Sequence, residues 1–521
     1  MATARVEGVD EADTLKGNGT VQYLLTGGAV HVLAVIRGGA SAVRVARLDV
    51  GPAASMLADG PRLLVVGKAV YADTGEPTTR LTRVDASRPG APVVTSTLTV
   101  DGSVGAARSI GGTATLTVSS DLGARVRALS STLGSSSRLQ VLLRRIVGGR
   151  AVRARPSSAA LVAALNATTD SFWVPHYTLR RRQSGGADTV VARGPLAACA
   201  RTYRPAGFAG FSLLTLLRVA IGEATAAAAA DGGRPAPGGV AIASGDGTVY
   251  ASAAALYVTT AAFGPTTTAT AVHKFDTAAA SATYVASGVV RGRLLNQFAL
   301  HERAGTLFVA TTLPSEWAAG RWTNSSNALT AMRVAAPCPA CRRRLGVVGH
   351  LGSLGLGERI YAVRYVGSMA YVVTFREVDP LYAISLANPT RMVTLGALKV
   401  PGFSSYLHPL SPTLLLGLGR NVTPDGPTTA KASLFRVPSG GGPAGAAGCP
   451  PRPRLAELAT WSGPPVRSTF AATADHRARR GPPIDRAVVV RGRYLWTTSS
   501  LGVAVHDLDT FTRTGGTKLF Y

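Results

Sequence analysis

Eight short apolar runs recur along the chain, each rich in β-branched or aromatic residues and edged by Gly or Pro. They are residues 21–25, RLLVVG (62–67), residues 113–118, ALYVTT (255–260), TLFVATT (306–312), AYVVTF (370–375), TLLLGLG (413–419) and YLWTTS (494–499). Runs this short, with this much Val, Tyr and Thr, are strands rather than helices. A turn and a second strand follow each run, often ending in Asp, as in TRLTRVD (79–85), TAVHKFD (270–276) and GVAVHDLD (502–509). A third apolar run often comes next, such as PVVTSTLTV (92–100) or RMVTLGALKV (391–400), and a short strand such as RIYAVRYVG (359–367) precedes the first. The unit of four strands recurs about every 40–60 residues, the spacing of propeller blades.

Burial explains why such units close on one another. A lone four-stranded antiparallel sheet cannot hide both faces. Radial stacking buries each face against a neighbour, and ring closure protects the terminal sheets. Strand periodicity alone also allows a pair of β-sandwiches, but one unit repeated along most of the chain disfavours them. At 521 residues the chain exceeds a single ordinary core of about 250–300 residues, which a repeat architecture accommodates. The expectation is an all-β single domain over 1–521: a propeller of about eight four-stranded antiparallel blades, with seven as the alternative. Residues 119–210 break the rhythm and read as an irregular, partly helical insertion in the third blade. A helix is expected near 157–168, capped by Ser157 or Ser158. Residues 438–452 and 476–484 are Gly/Pro/Arg-rich loops.

The formal net charge is +27, which raises nucleic acid or a membrane surface as partners. Yet 49 of the 55 basic residues are Arg, in a chain also heavy in Ala, Gly and Pro, a bias that GC-rich codons produce. The clusters at Arg144-Arg145, Arg180–Arg182, Arg342–Arg344 and Arg477/Arg479-Arg480 lie in loop-like surroundings without interleaved aromatics, so no nucleic-acid partner is expected. No run of 18 apolar residues occurs, so no membrane span is expected. The cysteines are Cys199, Cys338, Cys341 and Cys449. One Cys-x-x-Cys in a long hairpin loop favours a local disulfide or two thiols over zinc. Asn-x-Ser/Thr occurs at Asn18, Asn166, Asn324 and Asn421, four of the seven Asn residues, which favours a secretory route. The start of the chain carries no apolar signal segment.

Several long segments resemble a known family: VEGVDEAD (6–13), VHKFD with YVASG and LLNQF (272–298), LGERIYAVRYVG (356–367), AYVVTFREVDPLYAISLANP (370–389), LKVPGFSSYLHPL (398–410) and VHDLDT (505–510). The chain resembles the secreted proteins with a C-terminal β-propeller, distantly related to WD repeats. The resemblance implies a propeller that is exported or held at the cell surface, and it supplies no catalytic residues. Three departures stand out. The export signal is missing. The chain passes from Ala474-Asp475-His476 straight to IDRAVVVRGRYLWT (484–497), about one blade early. The Cys-bearing loop at 336–344 looks inserted.

In a propeller the innermost strands line the channel, and ligands bind at its mouth. The channel-lining candidates are Asn296 and Gln297 in the fifth unit, Arg359 and Arg364 (with Glu358) in the sixth, Tyr406 and His408 in the seventh, and Asp475 and His476 opening the eighth. Glu7, Asp10, Glu11 and Asp13 precede or open the first unit. The acidic stretch invites calcium but lacks the spacing of a calcium loop, so no metal is expected. The plainer role for all these groups is bonding strand ends and neighbouring blades. No nucleophile elbow, Walker loop, zinc-protease helix or dinucleotide fingerprint occurs, and no cofactor is expected. The expected function is a monomeric, non-enzymatic binding module for a protein, peptide or glycan. The alternatives are an enzyme with a channel-mouth site built on His408, His476 and Arg359, and an intracellular scaffold of the WD type.

Overall fold

The computed structural model describes residues 9–71, 76–126, 159–183, 186–205, 208–222, 238–245, 247–253, 255–262, 268–278, 282–315, 317–318, 321–335, 344–375, 379–421, 429–438, 455–465, 486–490, 494–499, 502–507 and 513–518. Within them lie eight antiparallel sheets of at least four strands, in chain order, plus a small ribbon in which Trp317–Ala318 pairs with Arg321–Trp322. Sheet one holds Leu15–Gly17, Val21–Thr26, Ala29–Ile36 and Ser41–Asp49; sheet eight holds Arg486–Val490, Tyr494–Ser499, Gly502–Asp507 and Arg513–Lys518. Each of the eight apolar runs is the second strand of its own sheet, for example Arg62–Val70 in sheet two and Met369–Phe375 in sheet six. A second strand is covered on both faces and paired on both edges, so it is predominantly apolar, with polar side chains such as Thr259, Thr311 and Thr374 buried within it. In Met369–Phe375 every residue but the last is buried.

The sheets pack face to face in sequence. Leu25, Val30 and Val32 of sheet one meet Met56, Leu63 and Val65 of sheet two. Leu64 and Leu81 of sheet two then meet Leu116 and Leu217 of sheet three. The same pattern joins three to four, four to five, five to six and six to seven. Val505 of sheet eight sits among Leu15, Leu24, Leu33 and Ala42 of sheet one, and the Thr514 hydroxyl donates to the Ala40 carbonyl at 3.0 Å. The last sheet thus rests on the first. Each fully buried Leu or Val contributes about 1.5–3 kcal/mol, so the inter-sheet faces carry most of the stability.

A glycine makes the step from the outer strand of one sheet to the first strand of the next. Gly102 and Gly292 hold positive φ (105° and 91°), and a Cβ on either would meet a carbonyl oxygen at 2.5 or 2.8 Å. Each glycine's carbonyl accepts from a buried threonine, Thr79 at 2.9 Å and Thr270 at 2.8 Å.

Two regions differ from the sequence expectation. The described part of the acidic stretch precedes sheet one without opening it, and Glu7 lies outside the described residues. Asp10–Glu11 instead pairs antiparallel with the first strand of sheet three (Asp10 opposite Ser109, Glu11 opposite Arg108), and Asp13 bridges Met56 of sheet two. The described part of 119–210 holds a helical stretch at 122–126, the helix Ala159–Asn166 and the short helix Asp170–Trp173, and three further strands. His176–Arg182 and Asp188–Pro195 extend the outer edge of sheet two, and Ala197–Tyr203 runs parallel along the outer edge of sheet three. Exposed sheet edges attract further strands, and this segment supplies them within the chain.

Candidate functional site at the sheet axis

Sheets that are not neighbours meet through their first strands, which marks those strands as the axis. Residues Leu294 to Leu300 of sheet five are central to this. Asn296 caps a short 3-10 turn over Gln297–Ala299, its side chain accepting from the Phe298 N–H at 2.9 Å. This turn interrupts the first strand of sheet five and pushes two side chains across the axis. Gln297 accepts from the Arg108 guanidinium of sheet three at 2.8 Å. Phe298 packs edge-on against Tyr406 of sheet seven at 5.8 Å and lies under Arg364 of sheet six at 5.7 Å. The Nε of Arg364 is buried with no hydrogen-bond partner among the described residues.

The strap formed by residues 9–13 seals the opposite side. Glu11 pairs with Arg108 at 3.3 Å, and Asp10 with the buried Lys16 at 2.5 Å; Lys16 also donates to the Glu11 carbonyl. Burial disfavours the charged form of Arg108 and lowers its pKa, while Glu11 and Asp10 act in the other sense. Strap and turn together bridge the axis at this level.

Beside them opens a recess of about 530 Å³, walled by sheets two, three, four and five. Lys68, Arg108, Thr248, Asn296 and Gln297 bring polar groups to it, and Gly105 exposes backbone. Its lining contains two cations, Lys68 and Arg108, and no carboxylate.

Two largely buried histidines are poor proton donors. His301 stacks on Tyr365 at 4.9 Å, and burial, helped by the charge of Arg303, pushes its pKa down to about 4. His273 is fully buried, bonds to the hydroxyl of Ser287 at 2.6 Å, and is pushed down by burial to about 4. Both are neutral near pH 7.

Of the residues expected at the channel, the fold brings Asn296, Gln297, Arg364 and Tyr406 into one axial cluster, with His408 beside Tyr406 (3.3 Å, hydroxyl to Nδ1). Arg359 is not part of it. Its guanidinium lies 4.7 Å over the Tyr361 ring and bonds that residue's hydroxyl, two positions along its own strand. An arginine at the start of a strand reaches a ring on the same face more cheaply than it reaches the axis. Glu358, next to it, accepts from Thr374. Asp475 and His476 lie outside the described residues, as do Cys338, Cys341 and Cys449; Cys199 is exposed. Asn18, Asn166 and Asn324 are exposed, and Asn421 is half-buried. Sequence reasoning missed Arg108, Lys16, Lys68 and the central role of Phe298. The one available signal was that Arg108 is the sole charged residue of its strand, Ser103–Ile110.

No helix of the described residues is long and apolar enough to cross a membrane. An uncharacterized protein of Methanocaldococcus jannaschii is 43% identical over 153 residues, 29% of this chain and 22% of that protein. An uncharacterized protein of Archaeoglobus fulgidus is 41% identical over 148 residues, 28% of this chain and 20% of that protein. The chain therefore spans about a fifth of the length of these relatives. The beta propeller domain family matches residues 3–441, which include the axial strands of sheets one to seven, and the chain belongs to that family.

Proposed function

We propose that this chain is a non-enzymatic binding module, outside the cell or at its surface, that receives a protein, peptide or glycan at the axial recess. This reading takes the eight sheets as blades of one closed ring, supported by the packing of sheet eight on sheet one. Beta propeller domains are suited to interaction because loops and strand ends from several sheets converge on one mouth.

The observation that carries the proposal is the recess itself. Four sheets contribute to a concavity of about 530 Å³ with few, well-spaced polar groups, while the titratable groups beneath it are already paired. Catalytic acids and bases carry pKa values tuned toward neutrality and face an open site. Here Glu11 and Lys16 are engaged, and burial holds His301 neutral. The exposed Asn18, Asn166 and Asn324 support an extracytoplasmic setting, because glycan acceptors must be reachable.

The test is capture by the full chain on printed peptide and glycan arrays, repeated with Gln297→Ala. A ligand bound by the wild type and lost in the variant supports the recess; capture unaffected by the variant places binding elsewhere. Mass spectrometry of native material decides the compartment. Glycan on Asn324 or Asn166 supports export, and four bare acceptors refute it.

A further inference from the structure

The chemistry of the recess narrows its ligand, and the argument rests on the binding-module reading above. Its only charged groups are cations. Arg108 is engaged by Glu11, Gln297 and the Ala107 carbonyl. Lys68 is exposed, and no ion pair joins it to a carboxylate among the described residues. Another wall is Gly247–Val249, at the head of the first strand of sheet four, Thr248–Ala251, whose Tyr250 and Ala251 are buried beside Val9, Glu11 and Gln297. That strand pairs with Ala255–Ala262 on one edge only; among the described residues no strand covers the other. A free strand edge beside a free cation suits an extended, acidic chain.

The molecule already contains such a pairing. Asp10–Glu11 lies antiparallel on the first strand of sheet three, and its Glu11 carboxylate seats on Arg108. Among the described residues the head of the neighbouring first strand, in sheet four, has no strand on that edge. The net charge of +27 adds a long-range pull on anionic partners.

We infer that the recess takes an acidic peptide segment, which pairs with the head of the sheet-four first strand at Gly247–Val249 and places a carboxylate against Lys68. The peptide lies beside the strap and repeats its binding mode. Specificity comes from the charge and from backbone pairing, so acidic spacing matters more than the identity of the intervening side chains.

Fluorescence polarisation with the full chain tests this, using a labelled ten-residue peptide of Asp and Glu alternating with Ala. Its Asn/Gln counterpart is the neutral probe. The acidic peptide is expected to bind, the neutral one about tenfold or more weakly, and added salt to weaken the former selectively. Lys68→Glu is expected to lower the affinity at least about tenfold and Lys68→Gln by less, whereas Lys399→Glu, exposed on the outer strand of sheet six, leaves it unchanged. Thermal melts of the Lys68 variants should match the wild type, since that side chain is exposed. Equal binding of acidic and neutral peptides overturns the inference, as does indifference to Lys68→Glu. Displacement by a single-stranded oligonucleotide at equal concentration overturns it too, because it shows a general anion trap. If a neutral peptide or glycan binds and is lost in Gln297→Ala but not in Lys68→Glu, the binding module stands and the acidic-peptide inference falls. If nothing on either array or in solution binds, both fall.

Discussion

The inner and outer edges of these sheets both carry added strands, and the two additions are built on different physics. At the inner edge of sheet three the addition is two residues long, Asp10–Glu11, and its carboxylates meet the largely buried cations Lys16 and Arg108. At the outer edges of sheets two and three it is three strands, and Asp188–Pro195 among them has no buried residue. Both cover strand edges that would otherwise pair with another chain. The inner addition is held by charge in a low-dielectric setting and forms part of the recess. The outer one is held by backbone pairing, by Tyr177 and Leu179 in the core between sheets two and three, and by one carboxylate at its entry, Asp101. Change near the axis should therefore cost much and touch binding, while change at the rim should cost little and stay local.

The largest effect is expected at Glu302, on the first strand of sheet five. It accepts from Ser252, from the Tyr257 hydroxyl at 2.8 Å and from Lys274 at 3.1 Å, joining sheets four and five. Burial alone would raise its pKa, but these hydrogen bonds and the Lys274 charge hold it below the usual carboxylate range. Glu302→Ala strands a buried Lys274 and should cost about 3–5 kcal/mol in urea denaturation. A loss no larger than that of a rim variant would break the inner–outer contrast.

Next comes Arg108→Met, which removes the partner of Glu11 and the donor to Gln297. The expected cost is about 2–3 kcal/mol, below that of a fully buried pair because the Glu11 side chain stays 28% exposed. Strap release should also appear as faster hydrogen exchange at residues 9–13 with the outer strands unaffected.

The contrast also has a pH signature. His273 and His301 titrate near 4 in the folded chain. The unfolded chain takes up these protons nearer pH 6.5, so below that value it binds more protons than the native state. Stability should therefore fall as pH drops from about 6.5 toward 4, by at most about 1.4 kcal/mol per pH unit for each ring. Glu302 adds a further loss below its unfolded pKa of about 4.5, because its folded pKa is depressed. His273→Gln should reduce the slope between pH 6.5 and 4; an unchanged slope would show that the ring is not held neutral by burial.

The sheets were legible from the sequence because every second strand is buried on both faces and so is rich in apolar and β-branched residues, and that requirement writes a similar word eight times. AYVVTF and YLWTTS needed no tertiary information. Asn296 and Gln297 were legible as axial because they follow the outer strand of sheet four, where a first strand must begin. The strap was not. Strand addition to an inner edge depends on backbone hydrogen bonds, which any residue supplies, so VDEAD at 9–13 looks like an ordinary lead-in to sheet one. Arg108 escaped for a related reason: its partners Glu11 and Gln297 lie 97 and 189 residues away in sequence. The contact made by Arg359 was not legible, because residue type and strand position do not fix where a long side chain points. The Tyr361 ring, two residues on, decided that.

The smallest effect is expected at the rim. Asp101 ends the original outer strand of sheet two and accepts from the Tyr71 hydroxyl and the His176 N–H, both at 2.8 Å, with Arg125 at 3.5 Å. It thereby fixes where the added strand His176–Arg182 enters the sheet. Asp101→Asn keeps the size and one acceptor but gives up the charge and one oxygen, so it should cost about 1 kcal/mol. The loss should be confined. Hydrogen exchange should accelerate over 176–195, where the strand register begins from this carboxylate, and stay unchanged at the second strands of all eight sheets. Protection lost across sheet two as a whole would mean that the added strands are integral to that sheet rather than laid on its edge, and the distinction between rim and axis would have to be redrawn.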